Sequence, residues 1–454
     1  MSNGFSASSQ VFSWLSRYIN YESGHIPPKI FRLESMAALT ELADHPERCA
    51  PVIHIAGSKG KGSVTAMLAS MLEADGRRAA RYMSPHISDF RERICLGNAF
   101  FNEAVYCTAG DELRELAENK VPACGDPAFD PARGGDAPSF FELLTMHFFL
   151  CARAGGCDVM VVETGLGGRL DATNIVDPEI SLITCIELEH IALLGNTIAS
   201  VAGEKAGIIK SGKPLVLAGQ CAEALEVFKQ RAAEKNSPLY YFPDHVVIEH
   251  MRIHQDGTNF MVAAGGIFPA ALELSIPLPG AVQAENAALA VLALKTAFPG
   301  FSDDSIRRGL QKVQLPARFE KILPLPLIID GAHTPHSAAH CAETFCSLYG
   351  TGGILLFGCA ADKDAAAMAK ILVPCFSLIL VTRPGPFKIS DPQKAYRAFS
   401  EHAGSCGKLV YIEDTGEAIR QALAAAREKG LPALCIGSFY LASEAKEYIL
   451  CNER

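Results

Sequence analysis

The sequence has one tryptophan, no excess of basic residues and no apolar run approaching the roughly 20 residues that span a bilayer. Lysine and arginine number 41 against 50 acidic residues, a formal charge of -9. That balance leaves nothing to neutralise a phosphate backbone, and no aromatic-basic stripe offers a stacking surface, so neither nucleic acid nor membrane is expected as a partner. Met1 to Gln10 lack the basic start and apolar core of a signal peptide. Fifteen cysteines are present, yet none falls in a CxxC pair, which argues for scattered reduced thiols rather than a disulfide scaffold or zinc ribbon. A cytoplasmic localisation is the expectation. What is plentiful is apolar content, 49% over 454 residues, enough to fill two cores.

Short Val- and Ile-rich runs alternate with segments of helical period. Strands are expected at Pro51 to Ala56, Asp158 to Val162, Ile180 to Cys185, Leu325 to Asp330, Gly353 to Phe357, Ser377 to Val381 and Ala433 to Ile436. Helices are expected at Ser63 to Asp75, Ser139 to Ala154 and Glu285 to Ala297. This rhythm predicts an α/β protein with parallel sheets covered on both faces. Val246 to Leu278 breaks it, reading as a small antiparallel hairpin around Asp256-Gly257. Leu315-Pro316-Ala317 reads as a linker, so the expected domains are 1-313 and 314-454. Val121 to Pro138, rich in proline and glycine, reads as a long surface loop.

Ile53 to Ala56 leads into Gly57-Ser58-Lys59-Gly60-Lys61-Gly62-Ser63 and then a helix. Glycines let successive N–H groups face one concavity, the helix start adds partial positive charge, and Lys61 can bridge outer phosphates. The strict Walker spacing is not met, because two residues separate Gly57 from Gly60 and Gly62 stands between Lys61 and Ser63. A plain structural turn is the competing reading. Glu163, after an apolar strand and before a glycine run, is either a metal carboxylate at the sheet's C-terminal edge or a strand-end glutamate in water. His190 by itself reads equally as a surface or core histidine, Phe141 as helix core, Lys205 as a solvated lysine paired with Glu204, and Arg318 as half of a surface ion pair.

Taken in order, these segments resemble the Mur ligase superfamily, in particular its folylpolyglutamate and dihydrofolate synthase branch. The resemblance rests on the phosphate loop, Ser84-Pro85-His86, Gly165-Leu166-Gly167-Gly168-Arg169-Leu170-Asp171-Ala172-Thr173-Asn174, Glu204-Lys205-Ala206-Gly207 and Leu278-Pro279-Gly280 with Asn286. It continues through Pro316-Ala317-Arg318-Phe319-Glu320, Asp330-Gly331-Ala332-His333, Ala361-Asp362-Lys363-Asp364 and Gly437-Ser438-Phe439-Tyr440. Four positions depart from the family pattern: Lys59 and Thr334 where asparagine is usual, Glu189 for aspartate and Val282 for histidine.

The resemblance implies a P-loop domain with a mostly parallel sheet and a small antiparallel element, followed by a smaller Rossmann-like domain. It implies an ATP-dependent ligase that adds L-glutamate to folate, and also to dihydropteroate, through an acyl phosphate. ATP would be bound by Gly57, Ser58, Gly60, Lys61, Gly62, Ser63, Asn286, Arg318, Asp330 and His333. Two Mg2+ ions would be held by Ser84, Glu163, His190 and a carbamylated Lys205, and the pterin substrate by Phe141, Asp171 and Ser438. Lys61, His190 and Lys205 would be catalytic, in a monomer whose partners are small molecules. A cell-wall Mur ligase and a nucleotide-binding regulatory protein with a decayed site remain the alternatives.

Overall fold

The structure is a computed structural model and describes residues 4–20, 32–129, 137–263, 268, 270–322, 324–386, 388–403 and 407–452. Its first sheet contains β1 (Val52–Ala56), β2 (Ala79–Tyr82), β3 (Ile94–Leu96), β4 (Ala99–Phe100), β5 (Val159–Glu163), β6 (Ile180–Ile183), β7 (Leu215–Leu217) and β8 (Leu239–Tyr241). The strands lie in the order β4-β3-β2-β5-β1-β6-β7-β8. Pairing is parallel from β2 through β8, while β3 and β4 add an antiparallel edge. Every residue of β1 and β5 is buried, as expected for central strands covered on both faces, which is why these two read as continuous apolar runs.

The helix Lys61–Ala74 buries eleven residues beneath Ala281–Ala297 and Asp303–Lys312, on one face of this sheet. On the other face, Phe140–Ala154 starts with a capping box between Ser139 and Glu142 and packs against the N-terminal helix Ser8–Leu15. A separate sheet of β9 (Val247–His254), β10 (Gly257–Ala263) and β11 (Leu272–Ile276) is antiparallel throughout. The expected hairpin at Asp256-Gly257 is there as β9 and β10; β11 completes three strands because its Leu272, Leu274 and Ile276 need a core to bury in.

The third sheet comprises β12 (Glu320–Lys321), β13 (Leu327–Ile329), β14 (Gly353–Phe357), β15 (Phe376–Val381), β16 (Lys408–Tyr411) and β17 (Ala433–Ile436), in the order β12-β13-β17-β14-β15-β16. All but β12 run parallel.

One expectation is corrected. The segment from Val121 to Pro138 is not loop throughout: the helix before it continues into Val121–Cys124, and Pro127–Phe129 forms a further helical turn. Val121 is drawn into the core that holds Trp14 and Leu116. Residues 130–136 of that segment lie outside the described residues.

Candidate active site

The C-terminal edges of the two parallel sheets face one cavity of about 1890 Å³. Pockets for a single drug-sized ligand are usually about 300–1,000 Å³, so there is room for a nucleotide beside a second substrate. Residues following β1, β2, β5 and β6 line one wall, and residues following β13 and β17 the other.

The glycine loop leaves β1 at Ala56. Gly57 has φ 141°, and a Cβ there would lie 1.8 Å from Thr184 Oγ1, so no other residue fits. Gly60 caps the following helix at φ 90°, and a Cβ there would stand 2.5 Å from Asn286 Oδ1. Ser58 N–H donates to the Cys185 carbonyl at 2.9 Å, and its hydroxyl donates to the Glu187 carbonyl at 3.0 Å. The loop is thereby tied to the end of β6. Lys61 Nζ donates to Gly57 O at 2.9 Å, and Lys205 Nζ reaches the same carbonyl at 2.8 Å.

Lys205 is 1% exposed and bonded to Glu189 at 2.7 Å, not to Glu204, whose partner is Arg169. Burial lowers its ammonium to about 8, with Glu189 opposing the shift. Burial would raise Glu189, but Lys205, Lys61 and Lys59 hold it down at about 2. Both groups touching Nζ are acceptors, so this arrangement suits the ammonium; a carbamate in the same place requires a cation to separate it from Glu189. Lys205 lies behind Glu189, whereas His190 stands on the cavity rim with φ 46°. His190 is pushed down to about 4, first by desolvation against the cleft and then by Lys363, Lys61 and Lys205, while Glu189 pulls upward.

Glu163 ends β5, 4% exposed, and its Oε2 has no hydrogen-bond partner among the described residues. Burial pushes its carboxyl up to about 7, against Lys61, Arg318 and the Ser84 amide. An orphaned buried carboxylate oxygen beside Ser84 and the phosphate loop is the donor a hard cation takes. Among the described residues no three His, Cys, Asp or Glu side chains converge on one metal position. The donor set therefore fits Mg2+, which takes one or two carboxylates and fills its shell with water and substrate phosphates.

Arg318 lies between Ala317 and Phe319, both at positive φ, 52° and 50°. Asp330 holds this unfavourable turn by accepting Phe319 N–H and Ala332 N–H, each at 2.7 Å. The Arg318 guanidinium lies 4.4 Å over the ring of Phe439. It is a cleft cation, not a surface ion pair. Gly331 permits the same ring to approach, since a Cβ there would lie 2.0 Å from it.

Three features escaped the sequence reading. Lys59 Nζ reaches His333 Nε2 at 3.1 Å, and His333 Nδ1 faces the Gly331 carbonyl at 2.7 Å. The Nδ1–H therefore donates to the carbonyl and Nε2 accepts from the lysine; burial, then Lys59, drives His333 down to about 3. Glu187 reaches across to Thr334 at 3.4 Å and His336 at 2.5 Å. Phe439 is the third. Sequence gives no signal for such pairs, because each joins residues more than a hundred positions apart.

The substrate residues divide. Phe141 is half-buried, lines the cavity and abuts Gly165, where a Cβ would meet its ring at 2.3 Å. Asp171 also lines the cavity, but its oxygens accept from Leu166 N at 2.7 Å, Thr173 N at 3.0 Å and Thr173 Oγ1 at 2.5 Å, so it principally fixes its own glycine loop. Ser438 is buried on the cavity wall and accepts Tyr440 N–H at 3.0 Å at the start of Phe439–Asn452.

Comparison with known proteins finds relatives over most of the chain. Residues 136–294 match the family "Mur ligase middle domain", and residues 317–439 match "Mur ligase, glutamate ligase domain". The chain is 33% identical over 417 residues to folylpolyglutamate synthase of Lacticaseibacillus casei, covering 89% of this chain and 91% of that one. It is 31% identical over 456 residues to dihydrofolate synthase/folylpolyglutamate synthase of Escherichia coli, covering 98% and 96%. The solved folylpolyglutamate synthase of Mycobacterium tuberculosis, complexed with ADP and AMPPCP, superposes with a TM-score of 0.85 at 27% identity, covering 97% of each chain. A structure described as an FPGS–AMPPCP–folate complex gives 0.82 at 27% identity, covering 98% of this chain and all of that one.

Proposed function

The chain belongs to the folylpolyglutamate synthase/dihydrofolate synthase family of Mur ligases, and on that premise we propose how its cleft carries out the family's reaction. It is an ATP-dependent ligase that joins L-glutamate to a folate. The folate carboxylate attacks the γ-phosphorus of ATP, giving an acyl phosphate and ADP. The glutamate amine then displaces phosphate, and the amide forms as the C–O bond to phosphate breaks.

The observation that carries this reading is that Lys61 and Glu163 of one wall and Arg318 and His333 of the other all line one cavity with room for two substrates, with Arg318 and Glu163 both close to Gly62 of the phosphate loop. Gly57, Ser58, Gly60, Gly62 and Ser63 shape the phosphate cradle, with Asn286 against Gly60. Lys61 and Arg318 place fixed positive charge where negative charge develops. Asp330 serves by holding the Arg318 turn, and His333, kept neutral, accepts from Lys59 through Nε2 and so ties that lysine to this wall. Ser84 and Glu163 would hold Mg2+, which would supply neutralisation of charge on the transferring phosphoryl group. A second ion would be held by His190 and a carbamylated Lys205, and would separate that carbamate from Glu189. Phe141, with Ser438 and the Asp171-braced loop, would hold the pterin ring.

The domain division is placed at 313/314, supported by the start of the third sheet at Glu320. We read the enzyme as a cytoplasmic monomer. Use of dihydropteroate as well as folate is proposed from Phe141 in the cavity. ADP release that requires both a pterin acceptor and glutamate tests the ligase reading; ATP hydrolysis indifferent to both would leave the regulatory nucleotide binder. Phe141→Ala should lower dihydropteroate turnover more than tenfold, the loss of about 1.4 kcal/mol expected for an aromatic contact, with ATP binding unchanged. Equal loss on both acceptors would make Phe141 packing only.

A further inference from the structure

We propose that His336 and His340 form a binding site for a borderline divalent transition-metal cation, of the Zn2+ or Ni2+ class, on the C-terminal domain's wall of the cleft. It is separate from the magnesium ligands and does not depend on the ligase reading.

The two residues are four apart in the helix Pro335–Tyr349, so they share one face. That spacing is the one by which two histidines of a helix hold zinc in H-E-x-x-H proteins. Their Nε2 atoms stand 2.9 Å apart, with ring centroids 4.4 Å apart and planes at 74°. Two imidazole nitrogens bound to one zinc at about 2.0–2.1 Å are themselves about 3 Å apart.

The far side of each ring supports the assignment. His336 Nδ1 lies 2.5 Å from Glu187 Oε1, and His340 Nδ1 lies 3.5 Å from Glu343 Oε2. A carboxylate accepts, so His336 Nδ1 carries the proton against Glu187 and His336 Nε2 presents a lone pair. The two Nε2 atoms are joined as an imidazole N–H···N pair at 2.9 Å, a bond that a cation held between them would replace, and Glu187 fixes the His336 ring for that role. Imidazole donors select transition metals over Mg2+. The side chains are 60% and 40% exposed, so an ion reaches them from solvent and water completes the coordination. Glu187 follows β6 in the first domain while the histidines belong to the second. An ion held there strengthens a contact that spans the cleft.

The test is a calorimetric titration of Ni2+ into the full chain, stripped of magnesium and nucleotide. One equivalent should be lost in His336→Ala and again in His340→Ala. It should bind about tenfold more weakly in Glu187→Gln and be retained in Glu163→Gln. Far-ultraviolet circular dichroism verifies that each variant is folded. Wild-type stoichiometry in both histidine variants, no binding to wild type up to millimolar Ni2+ (the histidines then sharing a proton instead), or loss of the same equivalent in Glu163→Gln would each overturn the proposal.

Discussion

Two ammonium groups, Lys61 and Lys205, donate to one carbonyl, that of Gly57. Only Lys61 faces the cavity, and exchanging a neutral carbonyl for ionised phosphate oxygens gives it stronger, charge-assisted bonds. Lys61→Ala should weaken ATP binding by about 2 kcal/mol and abolish ligation while circular dichroism stays native; ligation within a few-fold of wild type would remove Lys61 from the phosphate site. Glu163 makes a pH-dependent prediction. Its folded pKa of about 7 lies above the ordinary 4.5, so between those values the folded chain keeps a proton that the unfolded chain releases, and this group's contribution falls as pH rises through that window. In metal-free protein, Glu163→Gln should therefore be more stable than wild type at pH 8, by about 3 kcal/mol at 1.4 kcal/mol per unit, with the gain shrinking towards pH 5. A pH-independent difference in urea midpoints would contradict the buried, unpartnered carboxylate. Lys61, Glu163, Arg318 and His333 were singled out from the sequence, and all four line the cleft. Their partners were not: Lys205 was weighed against a bond to Glu204, its sequence neighbour, and the structure gives it Glu189.

At the scale of elements, strand ends do the positioning. Ala56, Glu163 and Ile183 finish neighbouring strands β1, β5 and β6, so one sheet edge brings the loop, the carboxylate and Thr184 together. Gly57 is where the loop presses hardest on that edge. Gly57→Ala should lower stability by at least about 2 kcal/mol, because it combines a clash with Thr184 and a φ that alanine disfavours; an unchanged urea midpoint would mean that the loop adopts another course. The long buried strands were readable because runs that are apolar at nearly every position, broken only by a residue such as His54 or Glu163, have few other uses. The strands Ala79–Tyr82, Leu215–Leu217, Leu239–Tyr241 and Lys408–Tyr411 were missed, being three or four residues long and, in two cases, carrying Arg81 or Lys408. Such segments become strands through their neighbours in the sheet, not through their own pattern.

For the whole molecule, the polar contacts among the described residues that join the two halves include Lys59 to His333, Glu187 to Thr334 and His336, Lys321 to Asp256, and the Ser443 hydroxyl to the Ile87 carbonyl. Contacts of this kind allow the halves to open and close around substrates. Lys59→Asn, which installs the residue usual in the family, should loosen the cleft and increase the radius of gyration in small-angle scattering. Identical scattering would show that the remaining contacts suffice. The central claim is that both walls serve one reaction, activation of a carboxylate by phosphoryl transfer. It is tested most directly by supplying a folate whose terminal carboxylate carries heavy oxygen, with ATP, Mg2+ and glutamate, and analysing the released phosphate by mass spectrometry. The account predicts one heavy oxygen in each phosphate released with product, because the acyl phosphate breaks on the carbonyl side of that oxygen. Unlabelled phosphate alongside glutamylated product would contradict it.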